Sequence, residues 1–156
     1  MHYLITGGAG FIGGHLTEAL LASGHRVTVI DNYSTGSPEN LARVADHPGL
    51  TLIEADILDC AETLENCIAA CDVVFHLAAA VGVELVVRDP VRTITTNVHG
   101  TENVLKLTAK YNRRVIVAST SEVYGKSTNP LFSETDDLLI GSPFHSRWSY
   151  ACSKLL

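Results

Sequence analysis

The sequence predicts an α/β protein built on a doubly wound parallel sheet, and three observations carry that expectation. Five short β-rich runs are continuously apolar, stretches of helical composition separate them, and a glycine cluster joins the first run to the first helical stretch. Strands buried on both faces of a parallel sheet need apolar residues at every position, whereas half-exposed strands alternate. Parallel neighbours also need a crossover between them, which a helix of about a dozen residues supplies.

Taken in order, HYLIT (2–6) is the first strand and residues 12–23, after the glycines, the first helix. RVTVI (26–30) follows, and then a helix over 38–46, with Ser37 as N-cap and Pro38 at the first helical position, where its missing N–H costs nothing. LTLIE (50–54) is the third strand. Asp59 and Glu62 have the spacing of a capping box and open a helix over 59–70. DVVFH (72–76) is the fourth strand, a longer helix covers 91–111 after Asp89-Pro90, and RVIVAS (114–119) is the fifth strand. The segment 125–145, rich in Ser, Pro, Asp and Gly, is too long for a simple connection and reads as a functional loop. SRWSYACSKLL (146–156) has helical composition and carries no terminating Gly or Pro.

At 156 residues, 46% apolar and 18% charged, the chain suits one domain with a sizeable core, expected to span 1–156. A net charge of −6, with Arg113-Arg114 the one dibasic pair, provides no basic stripe for a nucleic acid. No apolar run approaches the roughly 18 residues of a membrane span, so no membrane partner and a cytoplasmic location are expected. Cys60, Cys67, Cys71 and Cys152 form no CxxC pair and read as inert thiols, and the seven histidines form neither HxH nor HExxH, so no metal site is expected.

The chemistry begins at LITGGAGFIGGHL (4–16). Gly8, Gly10 and Gly13 satisfy GxGxxG, and Gly7, Gly10 and Gly13 satisfy GxxGxxG. Such a loop makes a tight turn, lets backbone approach a pyrophosphate without a Cβ in the way, and sets the phosphates at the positive end of a helix. A strand before it, a helix after it, and a second strand ending in Asp31, eighteen residues past Gly13, supply the context that a lone glycine motif lacks. A carboxylate there accepts hydrogen bonds from a ribose diol and repels a 2′-phosphate, and no arginine follows it, which favours NAD over NADP. The alternative for Asp31 is a turn residue ahead of Asn32. Asp56 can be a turn acid or meet an adenine amino group. The small residues of HLAAAVG (76–82), Ala78 and Ala79 among them, can make room for a cofactor or simply pack tightly.

Two further stretches bear on reaction chemistry. VASTSEVYG (117–125) places Ser119, Thr120, Ser121 and Glu122 at the carboxyl edge of the fifth strand, and YACSK sets Tyr150 and Lys154 four apart, on one face of a helix. A free tyrosine, with a pKa near 10, is about 0.1% ionised at neutral pH. A fixed ammonium one turn away, helped by a positive nicotinamide, could lower it toward about 7, a change worth roughly 4 kcal/mol, and make Tyr150 a general base.

With these residues in place the chain resembles the extended short-chain dehydrogenase/reductase superfamily, in its nucleotide-sugar branch of epimerases, dehydratases and decarboxylases. The matching stretches are TGGAGFIG (6–13), Asp31, Asp56-Ile57, HLAA (76–79), Asn97 with GT at 100–101, STSEVYG (119–125) and YACSK (150–154). The resemblance implies a Rossmann domain binding NAD through Gly7, Gly10, Phe11, Ile12, Gly13, Asp31, Asn32, Asp56, Ile57, Leu77, Ala78 and Ala79, with Tyr150 and Lys154 also on the cofactor. It implies that Thr120 hydrogen-bonds a sugar hydroxyl, that Tyr150 removes its proton as hydride leaves C4 for the nicotinamide, and that Lys154 holds the nicotinamide ribose. Members of this family continue through a sixth strand and a smaller substrate-binding region, so the chain is expected to be the cofactor-binding part, cut within the catalytic helix and inactive alone.

A C4 ketone opens three routes: loss of a C6 group through the acidic C5 proton, loss of carbon dioxide from a C5 carboxylate, or reduction from the other face. Dehydratases of this kind carry Asp-Glu after the threonine, and Ser121 here lacks the acidic proton that the departing hydroxyl needs. The Ser121-Glu122 pair and Arg147-Trp148 resemble uronate decarboxylases of the branch, which makes a UDP-glucuronate decarboxylase the leading expectation and a UDP-sugar 4-epimerase the alternative. Thr120, Glu122, Tyr150 and Lys154 are the catalytic candidates. Glu122 can instead orient its loop through backbone amides. A dinucleotide-binding module without turnover is the competing class. The family pattern also implies a homodimer for the full-length protein.

Overall fold

A computed structural model describes all 156 residues. In chain order its elements are β1 (His2–Thr6), α1 (Phe11–Ala22), β2 (Arg26–Asp31), a 3-10 helix (Pro38–Val44), β3 (Leu50–Glu54), α2 (Ala61–Ala70), β4 (Val73–His76), α3 (Val83–Arg88), α4 (Pro90–Ile94), a π-helical turn (Thr95–His99), α5 (Gly100–Lys110), β5 (Arg114–Val117), a short 3-10 helix (Ser121–Tyr124) and α6 (Trp148–Leu155). Two compact units are formed, one by Met1–Ala79 with Gly100–Ala118, the other by Ala80–His99 with Ser119–Leu156. No helix is long and apolar enough to cross a membrane.

The first unit is a five-stranded sheet in the order β3-β2-β1-β4-β5 with every pair parallel, the doubly wound, Rossmann-like arrangement. Successive strand residues point to opposite faces, and the core divides accordingly. Leu4, Ile30 and Val74 pack with Leu64 and Ile68 of α2 and Val104 of α5 on one face. Ile5, Val27 and Val29 pack with Leu21 of α1 and Leu41 of the 3-10 helix on the other. Each such fully buried aliphatic side chain is worth about 1.5–3 kcal/mol relative to exposure. Both faces are therefore covered, which is why β1, β2 and β4 read as unbroken apolar runs.

Four details differ from the sequence expectation. β3 and β5 are the edges of the sheet, so Leu52, Ile116 and Val117 are 42%, 47% and 40% exposed and are not buried on both faces. The segment expected as a helix over 38–46 is a 3-10 helix whose one buried residue is Leu41, too little apolar contact to hold a longer α-helix. Asp59 does not cap α2: the Asp56 side chain takes the Leu58 N–H (2.9 Å), a turn continues through 59, and Cys60 is the N-cap. The helix expected over 91–111 is interrupted by a π turn at 95–99.

The second unit is organised by that turn. Asn97, 1% exposed, accepts the Ala80 N–H (2.7 Å) and donates to the Ala80 carbonyl (3.3 Å) and to Ser153 Oγ (3.0 Å). Ser153 Oγ in turn donates to the Tyr150 carbonyl (2.8 Å), so one buried amide ties the segment entering α3 to the middle of α6. The loop after the second 3-10 helix is ordered by its own contacts. Gly125, at φ +60, bridges to Leu139, Lys126 N–H donates to the Leu139 carbonyl (2.8 Å), and Tyr124 stacks on Phe132 with ring centroids 4.6 Å apart.

Candidate active site

The glycine segment lies in the first unit between β1 and α1. Gly7 adopts φ +76, a conformation that costs a side-chain-bearing residue about 1–2 kcal/mol, and a Cβ there would sit 2.6 Å from Ala78 N. Gly13 is equally confined, since its Cβ would drive into the Gly7 carbonyl. Gly10 is the N-cap of α1 and no side chain caps that helix, so its first-turn amides at Phe11, Ile12 and Gly13 have no side-chain acceptor. Phe11 and Ile12 are 76% and 67% exposed there. An unblocked helix start behind a loop in which Gly7, Gly8 and Gly10 carry no Cβ fits a dinucleotide pyrophosphate.

Asp31, at the end of β2, is 8% exposed and faces this loop. Its carboxylate accepts the Ala9 N–H (2.9 Å) and the Tyr33 N–H (2.8 Å), and so serves as both turn residue and anchor of the glycine segment. Each carboxylate oxygen keeps a lone pair, which leaves acceptor capacity for a ribose diol. Asn32 donates to Asp56 (2.7 Å), bringing two other predicted residues together. Ile57 is 5% exposed with its side chain in the core, and its carbonyl accepts from Asn103 (3.3 Å). Leu77 and Ala78 lie half-buried after β4. Leu77 N–H donates to the Thr6 carbonyl (3.0 Å) and Ala78 N–H to Thr6 Oγ1 (3.4 Å), while Ala79 is half-buried.

The hydroxyl and carboxylate candidates belong to the second unit. Thr120 is the N-cap of the 3-10 helix, its Oγ1 accepting the Glu122 N–H (3.3 Å), which turns both side chains toward a cavity of about 420 Å³. Thr120, Glu122, Tyr150 and Arg147 line that cavity with Val81, Val83, Val86 and Val87. A few polar groups converging on an apolar wall is the usual make-up of a small-molecule site. The Glu122 carboxylate takes no hydrogen bond from a backbone amide, so it does not orient its loop that way. Lys154 lies one turn beyond Tyr150 on α6, half-buried.

The electrostatics run opposite to the sequence expectation. Burial pushes the Tyr150 phenol above its ordinary value and the Glu122 carboxylate pushes it further, while a hydrogen bond with Thr120 pulls the other way. Burial also pushes the Lys154 ammonium below its ordinary value. Desolvation disfavours both charged forms, and the neighbouring carboxylate adds to the cost of a phenolate. Two participants match the family pattern without a role legible in the sequence: Asn97 sits within a helical run, and Arg147 stands three residues before Tyr150, a spacing that sets the two on one face of a helix.

The model of the NAD dependent epimerase/dehydratase family matches residues 3–156. The chain belongs to that family. Among curated proteins it is 46% identical over 153 residues to a UDP-N-acetyl-alpha-D-glucosaminuronate decarboxylase of Bacillus cytotoxicus, covering 98% of this chain and 46% of that one. It is 41% identical over 122 residues to UDP-glucuronic acid decarboxylase 1 of Danio rerio, covering 78% of this chain and 28% of that one. Among solved structures, the dTDP-glucose 4,6-dehydratase DesIV of Streptomyces venezuelae, with NAD and TYD bound, superposes with a TM-score of 0.88 at 34% identity, over 99% of this chain and 48% of that one. The chain thus spans about half the length, or less, of the relatives it matches.

Proposed function

We propose that residues 1–156 are the cofactor-binding and proton-transfer part of an enzyme that oxidises a UDP-sugar at C4 and then decarboxylates it, the substrate being a UDP-uronate. The observation that carries this reading is the cavity on which Thr120, Glu122 and Tyr150 converge, with the Glu122 carboxylate held free of its own backbone. The similarity to two uronate decarboxylases supports the same choice of substrate.

In this mechanism the glycine segment and Asp31 would hold NAD through amides and a carboxylate, and Lys154 and Tyr150 would hold its nicotinamide ribose. Bound there, the nicotinamide would supply a hydride acceptor for C4 and a positive charge that favours the phenolate. Thr120 orients the C4 hydroxyl and Tyr150 takes its proton. The resulting C4 ketone makes a C5 carboxylate a β-keto acid, which loses carbon dioxide readily. Glu122 is the cavity carboxyl able to take up a proton from solvent and pass it to C5. The same Thr120–Tyr150 pair would serve a 4-epimerase, which needs no carboxylate at position 122.

The test is incubation of the whole protein with NAD and UDP-glucuronate or UDP-N-acetylglucosaminuronate. Carbon dioxide and a sugar shortened by one carbon are expected. A retained carboxylate with inverted C4 would make the enzyme an epimerase, and no turnover of any UDP-sugar would leave only a binding module. The four free thiols suit a reducing cytoplasm. A homodimer would bury Val91 and Ile94, which are 73% and 46% exposed on α4, and sedimentation of the whole protein would reveal it.

A further inference from the structure

In the first unit, both backbone polar groups of Ala9 are held from outside the glycine segment. Its N–H goes to Asp31, and its carbonyl oxygen accepts two donors from the segment after β2: the Ser37 N–H (3.0 Å) and the Asn40 side-chain amide (2.8 Å). The approach is so close that a Cβ at Gly36 would lie 2.8 Å from the same oxygen. Asn40 is brought there by the 3-10 helix, which Leu41 anchors in the core, and by α1, where a Cβ at Gly14 would lie 2.8 Å from the Asn40 carbonyl. The rest of Asn40 is exposed.

The carbonyl matters because of the residue that follows it. In a trans peptide the C=O and the next N–H point to opposite sides of one plane, so the Ala9 oxygen and the Gly10 N–H turn together. Gly10 sits at φ −73, and its N–H donates to the Gly7 carbonyl at 3.2 Å, a long bond. Glycine takes positive φ about as readily as negative, so the missing Cβ that makes room for a pyrophosphate also lets this plane turn over. Turned over, it would bring an oxygen to the side on which the loop now holds an N–H, which an anion would meet unfavourably. We infer that Asn40 is a positioning residue for the cofactor: by holding the Ala9 oxygen, it keeps the Ala9–Gly10 peptide in the orientation that admits the NAD pyrophosphate. This rests on the placement of the pyrophosphate at the glycine segment given above. Asp31 does the same for the preceding plane, so the two planes flanking Ala9 are set by side chains 22 and 31 positions further along the chain.

The test measures NAD, ADP and adenosine binding to the whole protein by calorimetry, in wild type, Asn40→Ala and Asn40→Gln, beside urea unfolding without ligand. Asn40→Ala should weaken NAD and ADP alike by about 3–10-fold, the worth of one neutral hydrogen bond, and leave adenosine within about twofold. Asn40→Gln, which keeps the donor on a longer arm, should recover part of the loss. A merely structural Asn40 would shift the urea midpoint and weaken all three ligands together, and that result would overturn the proposal. Unchanged ADP affinity in Asn40→Ala would overturn it too, while leaving NAD binding at the glycine segment intact. Wild-type protein that binds ADP no better than adenosine would sink the placement of the pyrophosphate, and the positioning role with it.

Discussion

Glu122 and Tyr150 share a cavity, and the carboxylate makes the phenol harder to ionise. The sign of its influence can be measured. Replacing Glu122 with Gln removes a negative charge and leaves the phenol as buried as before, so the Tyr150 pKa should fall, and a larger fraction of phenolate should be present at any given pH. An ultraviolet difference titration of E122Q against the doubly substituted E122Q/Y150F, beside the same pair in the wild-type background, reads this midpoint; an unchanged or raised value would show that the two groups do not interact. A catalytic base that begins above its ordinary pKa relies on charge supplied by its ligands, which ties proton removal to a filled site. Asp31 shows a related economy, since a carboxylate already holding two backbone amides needs no rearrangement before it meets a diol.

At the scale of elements, α2 and α5 are joined by more than apolar contact. Glu65 of α2 accepts from Lys110 Nζ and from Tyr111 Oη, both at 2.6 Å, and Arg113 Nη2 donates to the Ala69 carbonyl at 2.5 Å. Those hydrogen bonds from Lys110 and Tyr111 hold the Glu65 carboxyl below its ordinary value. A depressed carboxylate stabilises the fold above the unfolded-state pKa, and that contribution disappears as pH falls through the folded-state value. Glu65→Gln should therefore lower the urea midpoint at pH 7, and the deficit should vanish in acid below the usual carboxylate range. A deficit that persists there would mean that packing, not charge, is responsible. The π turn at 95–99 works differently, by delivering Asn97 to the interior between two conventional helical segments.

For the whole molecule, the parts legible in the sequence were those written as periodicity. The strand starts fall within about a residue of expectation because a covered sheet tolerates few polar side chains, and the glycine segment was legible because its spacing answers a backbone demand. The π turn leaves no composition signal, since Asn97 is one polar residue in a helical run, and α3 is only six residues long. The edge strands misled for the opposite reason: RVIV in β5 is as apolar as an interior strand yet has a neighbour on one side alone. That open flank has a consequence for handling the 156-residue polypeptide. An apolar ribbon with spare N–H and C=O groups can recruit a second ribbon like itself, so turbidity should grow with protein concentration, and Ile116→Lys, a gatekeeper on the bare margin, should suppress light scattering while leaving the circular dichroism of the fold in place.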